Sequence, residues 1–229
     1  VDLLDASARL RDALAGFPPG GRAAWCYHPL GYAWAPHEAY LRWFGAGAGR
    51  SVLVGMNPGF WGMAQTGVPF ADPETACGWM GVEGPVSAPA RTHPKLPILG
   101  FASRRPDPSG RRLYGAARAR YGTAQAFFAD WFVDNYCPLL FLDAEGANLT
   151  PDKLPRAARA ALEPACDEHM RALVATLRPT RLVALGSYVA ARLRALDLDV
   201  PVQAALHPSP ANPRNNRGWG EDLFAGSPP

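Results

Sequence analysis

Three polar side chains placed just beyond apolar runs are where this sequence could do chemistry. They are Asn57 in GMNPGFWGMAQTGVPF (55–70), Asn135 in WFVDNYCP and His207 in LHPSPANP. An amide offers both a donor and an acceptor. Met56, Gly59, Phe60, Trp61 and Phe70 surround Asn57, and aromatic faces beside an amide suit a flat polar ligand. Taken singly, each residue has a plainer reading. Asn57 sits in an Asn-Pro-Gly turn. Asn135 suits a strand-end cap, His207 a buried histidine satisfied by backbone, and the aromatics an ordinary core. Those readings do not account for the joint placement of the three residues.

The elements that would hold them follow from hydrophobic patterning. Residues 51–55, 131–135, 181–186 and 202–206 are short apolar runs and read as buried strands. Helical patterns occupy 2–15, 37–44, 123–129, 156–177 and 187–196, with Ser187 as the expected N-cap of the last. In 156–177 the apolar residues Leu162, Cys166, Met170, Leu173 and Leu177 recur near i, i+4. Strands alternating with helices predict an α/β fold with a mostly parallel sheet covered on both faces. Ligands of such sheets bind beyond the carboxyl ends of the strands. Asn57, Asn135 and His207 are therefore expected to converge at one end. The Pro- and Gly-rich stretch 71–112 reads as one long elaborated loop.

Composition narrows the function classes. A chain of 229 residues with 48% hydrophobic and 19% charged residues predicts one folded domain, 1–229. The net charge of +3 sets up no strong field. Arginine accounts for 21 of the 23 basic residues, the others being Lys95 and Lys153. Arginine suits phosphate recognition, but a general bias toward Arg, Ala, Gly and Pro explains most of them. Cys26, Cys77, Cys137 and Cys166 form no C-x-x-C and read as reduced, mostly buried thiols. No His, Cys or carboxylate cluster has metal-ligand spacing, which argues against a metal hydrolase. No apolar run reaches membrane length. The first stretch, VDLLDASARLRDALAG, is amphipathic and lacks a signal-peptide core, and the missing initiator Met points to a trimmed chain. The expected location is the bacterial cytoplasm, at the nucleoid when acting.

GMNPGFWGMAQTGVPF, NYCPLLFLDAEGANLTPDKLP and HPSPANPRNNRGW resemble the signature segments of the single-strand-selective monofunctional uracil-DNA glycosylases. GWMGVEGPV and HPKLPILGF fit the same family between them, so the resemblance runs over 51–219. It implies a three-layer α/β/α sandwich with a central four-stranded, mostly parallel sheet. It implies a monomer that binds DNA, flips out a base and hydrolyses its N-glycosidic bond without a metal or other cofactor. The implied substrates are uracil and oxidised pyrimidines such as 5-hydroxymethyluracil, in single- and double-stranded DNA.

Carried over by residue, the resemblance makes Asn57 the water-positioning group and His207 the donor to uracil O2. Asn135 would bond the uracil edge, Phe70 would stack on the flipped base, and Met56 and Gly59 would complete the pocket. Phe60 and Trp61 would only support the loop. The segment 145–159 matches the family's DNA-contacting stretch, which assigns Asn148, Lys153, Arg156 and Arg159 to DNA. Ser209, Ala211, Arg214 and Arg217 fall in the segment that wedges into the duplex. Many family members have Arg where this chain has Ala211, so Arg214 or Arg217 would have to substitute. Two alternatives stay open: a glycosylase preferring deaminated purines such as xanthine or hypoxanthine, and a non-catalytic binder of damaged DNA.

Overall fold

Short unbroken runs of Val, Leu and Phe form strands buried on both faces, the pattern of a parallel sheet covered from two sides. The computed structural model describes residues 2–18, 20–210, 219–220 and 223–224. Among the described residues seven strands form: β1 (Trp25–Tyr27), β2 (Ser51–Gly55), β3 (Trp131–Asn135), β4 (Leu140–Leu142), β5 (Asn148–Leu149), β6 (Arg181–Leu185) and β7 (Val202–Ala205). Eight α-helices accompany them: α1 (Leu3–Ala13), α2 (Pro29–Tyr32), α3 (Trp34–Phe44), α4 (Met63–Thr66), α5 (Pro108–Tyr121), α6 (Ala124–Asp130), α7 (Arg156–Leu177) and α8 (Ser187–Ala195).

The main sheet has the order β3-β2-β6-β7, and all its pairs are parallel. Helices lie on both sides, which gives the expected α/β/α architecture. Ser51 stands opposite both Trp131 and Arg181, and Gly55 stands opposite Asn135. That register brings the carboxyl ends of β2 and β3 level. Every residue of β3 is buried, as are Val52 to Val54 of β2 and Leu182 to Leu185 of β6, but β7, expected as a buried strand, lies at the sheet edge and is half-buried to exposed. In α7 the five apolar residues noted in the sequence are all buried, so the 3.6-residue period does face the core. No helix among the described residues is long and apolar enough to cross a membrane.

Three other expectations change. The stretch 71–112 is not a bare loop. It holds a π-helical turn at Glu74–Met80, a 3-10 turn at Gly100–Ala102 and the start of α5. Its missed start signal is Asp107-Pro108: the Asp107 side chain accepts from the Gly110 N–H, and Pro occupies the first turn. A second sheet, antiparallel in the order β1-β4-β5, was also not expected, because its strands have only two or three residues. Third, α8 is preceded by Gly186 as N-cap, with no side-chain cap bond, so Ser187 is the first helical residue. Of the thiols, Cys137 and Cys166 are buried, Cys26 is half-buried and Cys77 is exposed.

Candidate functional site

The two chain segments leaving β2 and β3 are tied to each other by backbone. Tyr136 N–H donates to Gly55 O and Cys137 N–H to Met56 O, both at 2.9 Å. Asn57 Nδ2 then donates to Leu139 O at 3.3 Å. With its N–H₂ group engaged there, Asn57 presents Oδ1 as an acceptor.

Asn135 is buried deeper. Its backbone N–H donates to Asp134 Oδ1 at 2.8 Å, and Asp134 Oδ2 lies 2.9 Å from His169 Nε2 on α7. The Asn135 Nδ2 meets only the weak acceptor Met63 Sδ, at 3.3 Å, while its Oδ1 is buried without a partner. A buried unpaired acceptor costs free energy, about 1–3 kcal/mol, and marks a place where a donor would be held.

Phe70 has φ of 60°, an outlier for a bulky side chain. The conformation is held from two sides. Tyr114 hydroxyl donates to Pro69 O at 2.8 Å, and Thr66 Oγ1 to Ala71 O at 2.8 Å. Phe70 O also rests against Cα of Gly110, where any Cβ would collide. The Phe70 ring and the Asn135 amide oxygen both lie over Gly55, which can carry no Cβ for the same reason.

His207 sits on the segment after β7. That segment is pinned by Arg112 Nη1 to Pro208 O at 3.2 Å and by Trp219 Nε1 to Leu206 O at 2.7 Å. The Ser209 N–H donates to His207 Nδ1 at 3.1 Å. Burial lowers the ring pKa to about 4, so the ring is neutral at pH 7. A neutral imidazole whose Nδ1 accepts carries its proton on Nε2, which makes Nε2 a donor. The ring is 6.0 Å from that of Phe70, centroid to centroid.

These groups line one cavity of about 380 Å³. Met56, Asn57, Gly59, Phe70, Asn135 and His207 all reach it, and so do Asn148 and Ser209, which the sequence had assigned to DNA contact. The first turn of α8, with Gly186, Ser187 and Tyr188, forms part of the wall and sets the positive end of its dipole there. Among the described residues no cluster of His, Cys, Asp and Glu has the arrangement to hold a metal ion.

Lys153, Arg156 and Arg159 do not line the cavity. They lie on the turn Pro151–Lys153 and the first turn of α7, next to the cavity residues Asn148, Thr150 and Asp152. Lys153 and Arg156 are exposed and Arg159 is half-buried. Ala211, Arg214 and Arg217 lie outside the described residues. Phe60 packs edge-on against Tyr27 and Trp61, and Arg105 lies 4.7 Å above the Trp61 ring, so neither aromatic lines the cavity.

Asp107 was missed in the sequence and belongs to the cavity. It is 5% exposed, and burial raises its carboxyl pKa to about 6. Its Oδ1 accepts from Gly110 N at 2.7 Å. Its Oδ2 lies over Gly59 and Gly62, so a Cβ at Gly59 would collide with it and one at Gly62 would come within 2.9 Å.

Comparison with known proteins identifies the family and the fold. The family model of the uracil DNA glycosylase superfamily matches residues 43–224. The single-strand selective monofunctional uracil DNA glycosylase of Mus musculus is 42% identical over 197 residues, covering 84% of this chain and 71% of that protein. The Bos taurus protein of the same description is 38% identical over 220 residues, covering 94% and 81%. The crystal structure of wild-type SMUG2 from Pedobacter heparinus superposes with a TM-score of 0.63 at 20% identity, over 91% of this chain and 88% of that one, a likeness of fold.

Proposed function

The chain belongs to the uracil DNA glycosylase superfamily, and from that premise we propose that it excises uracil from DNA by hydrolysis, with Asn57 and His207 as the catalytic pair. Relatives at about 40% identity bear the name of monofunctional uracil-DNA glycosylases. This chain is accordingly a monofunctional N-glycosylase of DNA repair. The observation that carries the assignment of roles is the Ser209 N–H bond to His207 Nδ1, which leaves Nε2 as the donor of a neutral ring, in one cavity with Asn57, Asn135 and Phe70.

The reaction breaks the bond between C1′ and N1 of the base. The electron pair leaves with uracil, and negative charge builds at O2 while positive charge develops on the sugar. A neutral Nε2–H donor at O2 strengthens as that charge grows, so it acts mainly in the transition state. Phe70 provides the face on which the flipped base stacks. The unpaired Asn135 Oδ1 accepts the N3–H of uracil; cytosine presents a bare acceptor at N3 and leaves that oxygen unpaired. Asn57 Oδ1 accepts from the attacking water. Met56 and Gly59 shape the wall. Asn148 and Ser209 on the cavity wall, with Lys153, Arg156 and Arg159 beside it, meet the DNA strand, and the three cations suit its phosphates.

The finer reading is preference for unpaired DNA. Flipping a base from a duplex costs a few kcal/mol, least when the base is already unpaired, and Ala211 is too short to fill the vacated stack. The test is incubation with matched single-strand, U·G and U·A oligonucleotides, then alkaline cleavage at the abasic site. Strands carrying xanthine, hypoxanthine and 5-hydroxymethyluracil run in parallel. Fastest release of uracil from the single strand is expected. Binding without release of any base would leave a non-catalytic binder and refute the proposal.

A further inference from the structure

We propose that Asp107 is a further catalytic residue, the proton acceptor for the hydrolytic water. The inference rests on the glycosylase reading and extends it. Hydrolysis adds water to C1′, and that water must lose a proton as its C–O bond forms. Asn57 can orient the water, but an amide does not take up a proton at neutral pH. A carboxylate on the same wall can.

Asp107 is built into that wall. Its backbone N–H donates to Asp72 Oδ2 at 3.1 Å, and its own Oδ1 caps α5 through Gly110. With one oxygen committed to the helix, the other, Oδ2, lies over Gly59 and Gly62. Gly59 is two residues from Asn57, so Oδ2 sits on the loop that carries the water-orienting amide. Both glycines are needed for this approach, since a side chain at Gly59 would occupy the place of Oδ2. Asp152 also lines the cavity, but it is exposed, whereas Asp107 is buried.

The surroundings favour a base that works near neutrality. Around Asp107 stand Asp72 with its partner Arg111 at 3.5 Å, Tyr114 on α5, and His207 and Asp152 in the cavity wall. No ion pair among the described residues holds Asp107 itself in the charged form. Burial therefore dominates and raises its pKa to about 6, close to the operating range of a general base. The balance of the step is simple. Water forms the C1′–O bond, the C1′–N1 electron pair departs on uracil beside His207, and the water proton passes to Asp107 Oδ2 and then to solvent.

The test is the pH profile of single-turnover uracil release from a single strand, for the full chain and for Asp107→Asn, Asp107→Ser and Asp152→Asn. Asn and Ser both retain an N-cap oxygen for α5, and each rate is scaled to the folded fraction measured by circular dichroism. The unsubstituted protein should gain rate as pH rises through about 6 and then level off, because the ionised carboxylate is the active form. Asp107→Asn and Asp107→Ser should lose that limb and run about 10²-fold lower on the plateau. Asp152→Asn should keep the limb. Retention of both limb and plateau by Asp107→Asn, within about threefold, overturns the proposal while leaving the glycosylase reading intact. Absence of uracil release by the unsubstituted protein at every pH overturns both.

Discussion

Replacing Gly55 by Ala should cost more activity than its size suggests. A Cβ at Gly55 would approach Asn135 Oδ1 and the Cε2 and Cζ atoms of Phe70 well inside 3.0 Å. Ordinary carbon contacts lie near 3.5–4.0 Å, so relief needs a shift of roughly 1 Å. Gly55 itself cannot retreat. It pairs with Asn135 in β3, β2 is held by β6 on its other side, and Gly55 O accepts from Tyr136. The displaced groups must be the amide and the ring that form the base pocket. Overpacking of this kind costs about 1–3 kcal/mol, or roughly 2–4 °C in Tm for each kcal/mol in a chain of this size. A misplacement of about 1 Å can cost about 10²-fold in rate. Thermal unfolding and single-turnover uracil release, measured on the same preparation, separate the two effects. A Gly55→Ala protein that melts a few degrees lower and keeps its full rate would refute the view that this glycine exists to let Asn135 and Phe70 close over the strand end.

His207→Ala should lower the single-turnover rate about 10²–10³-fold, the usual worth of one such donor, whereas a loss of only a few-fold would reject its role. Stability should fall on acidification: burial lowers the pKa of His28, His37 and His207 to about 4, so their contribution is complete above the unfolded value near 6.5 and is lost as pH drops toward 4. Asp107, raised to about 6, opposes this over part of the same range; with three groups against one, the urea midpoint should still drop from pH 7 to pH 4.5, and an unchanged midpoint contradicts the assignment. Borohydride should trap no protein–DNA adduct, since neither Lys95 nor Lys153 lines the cavity and a Schiff base needs an amine there; an adduct mapped to either lysine would show lyase chemistry.

Local sequence carried the central sheet and most of the site. Strands β2, β3 and β6 are short buried apolar runs, which need nothing else to declare themselves, whereas β7 at the sheet edge is half-buried to exposed. Asn57, Asn135 and His207 were legible because all three follow such runs, and a parallel sheet must bring those ends together. The long period of α7 was legible for the same reason. What stayed hidden depended on contacts between distant segments. The strands β1, β4 and β5 are too short to carry a pattern and exist because they pair with one another. Asp107 looked like one more residue of a Pro-rich loop. It belongs to the cavity because α5 brings it over Gly59 and Gly62, which lie more than forty residues earlier. The tautomer of His207 depends on the backbone N–H of Ser209, and its low pKa on burial. Residue types and their spacing along strands determined which groups could take part in the reaction. Only the packed chain decided how deeply each is buried, which atoms are already bonded, and so which proton each can hold.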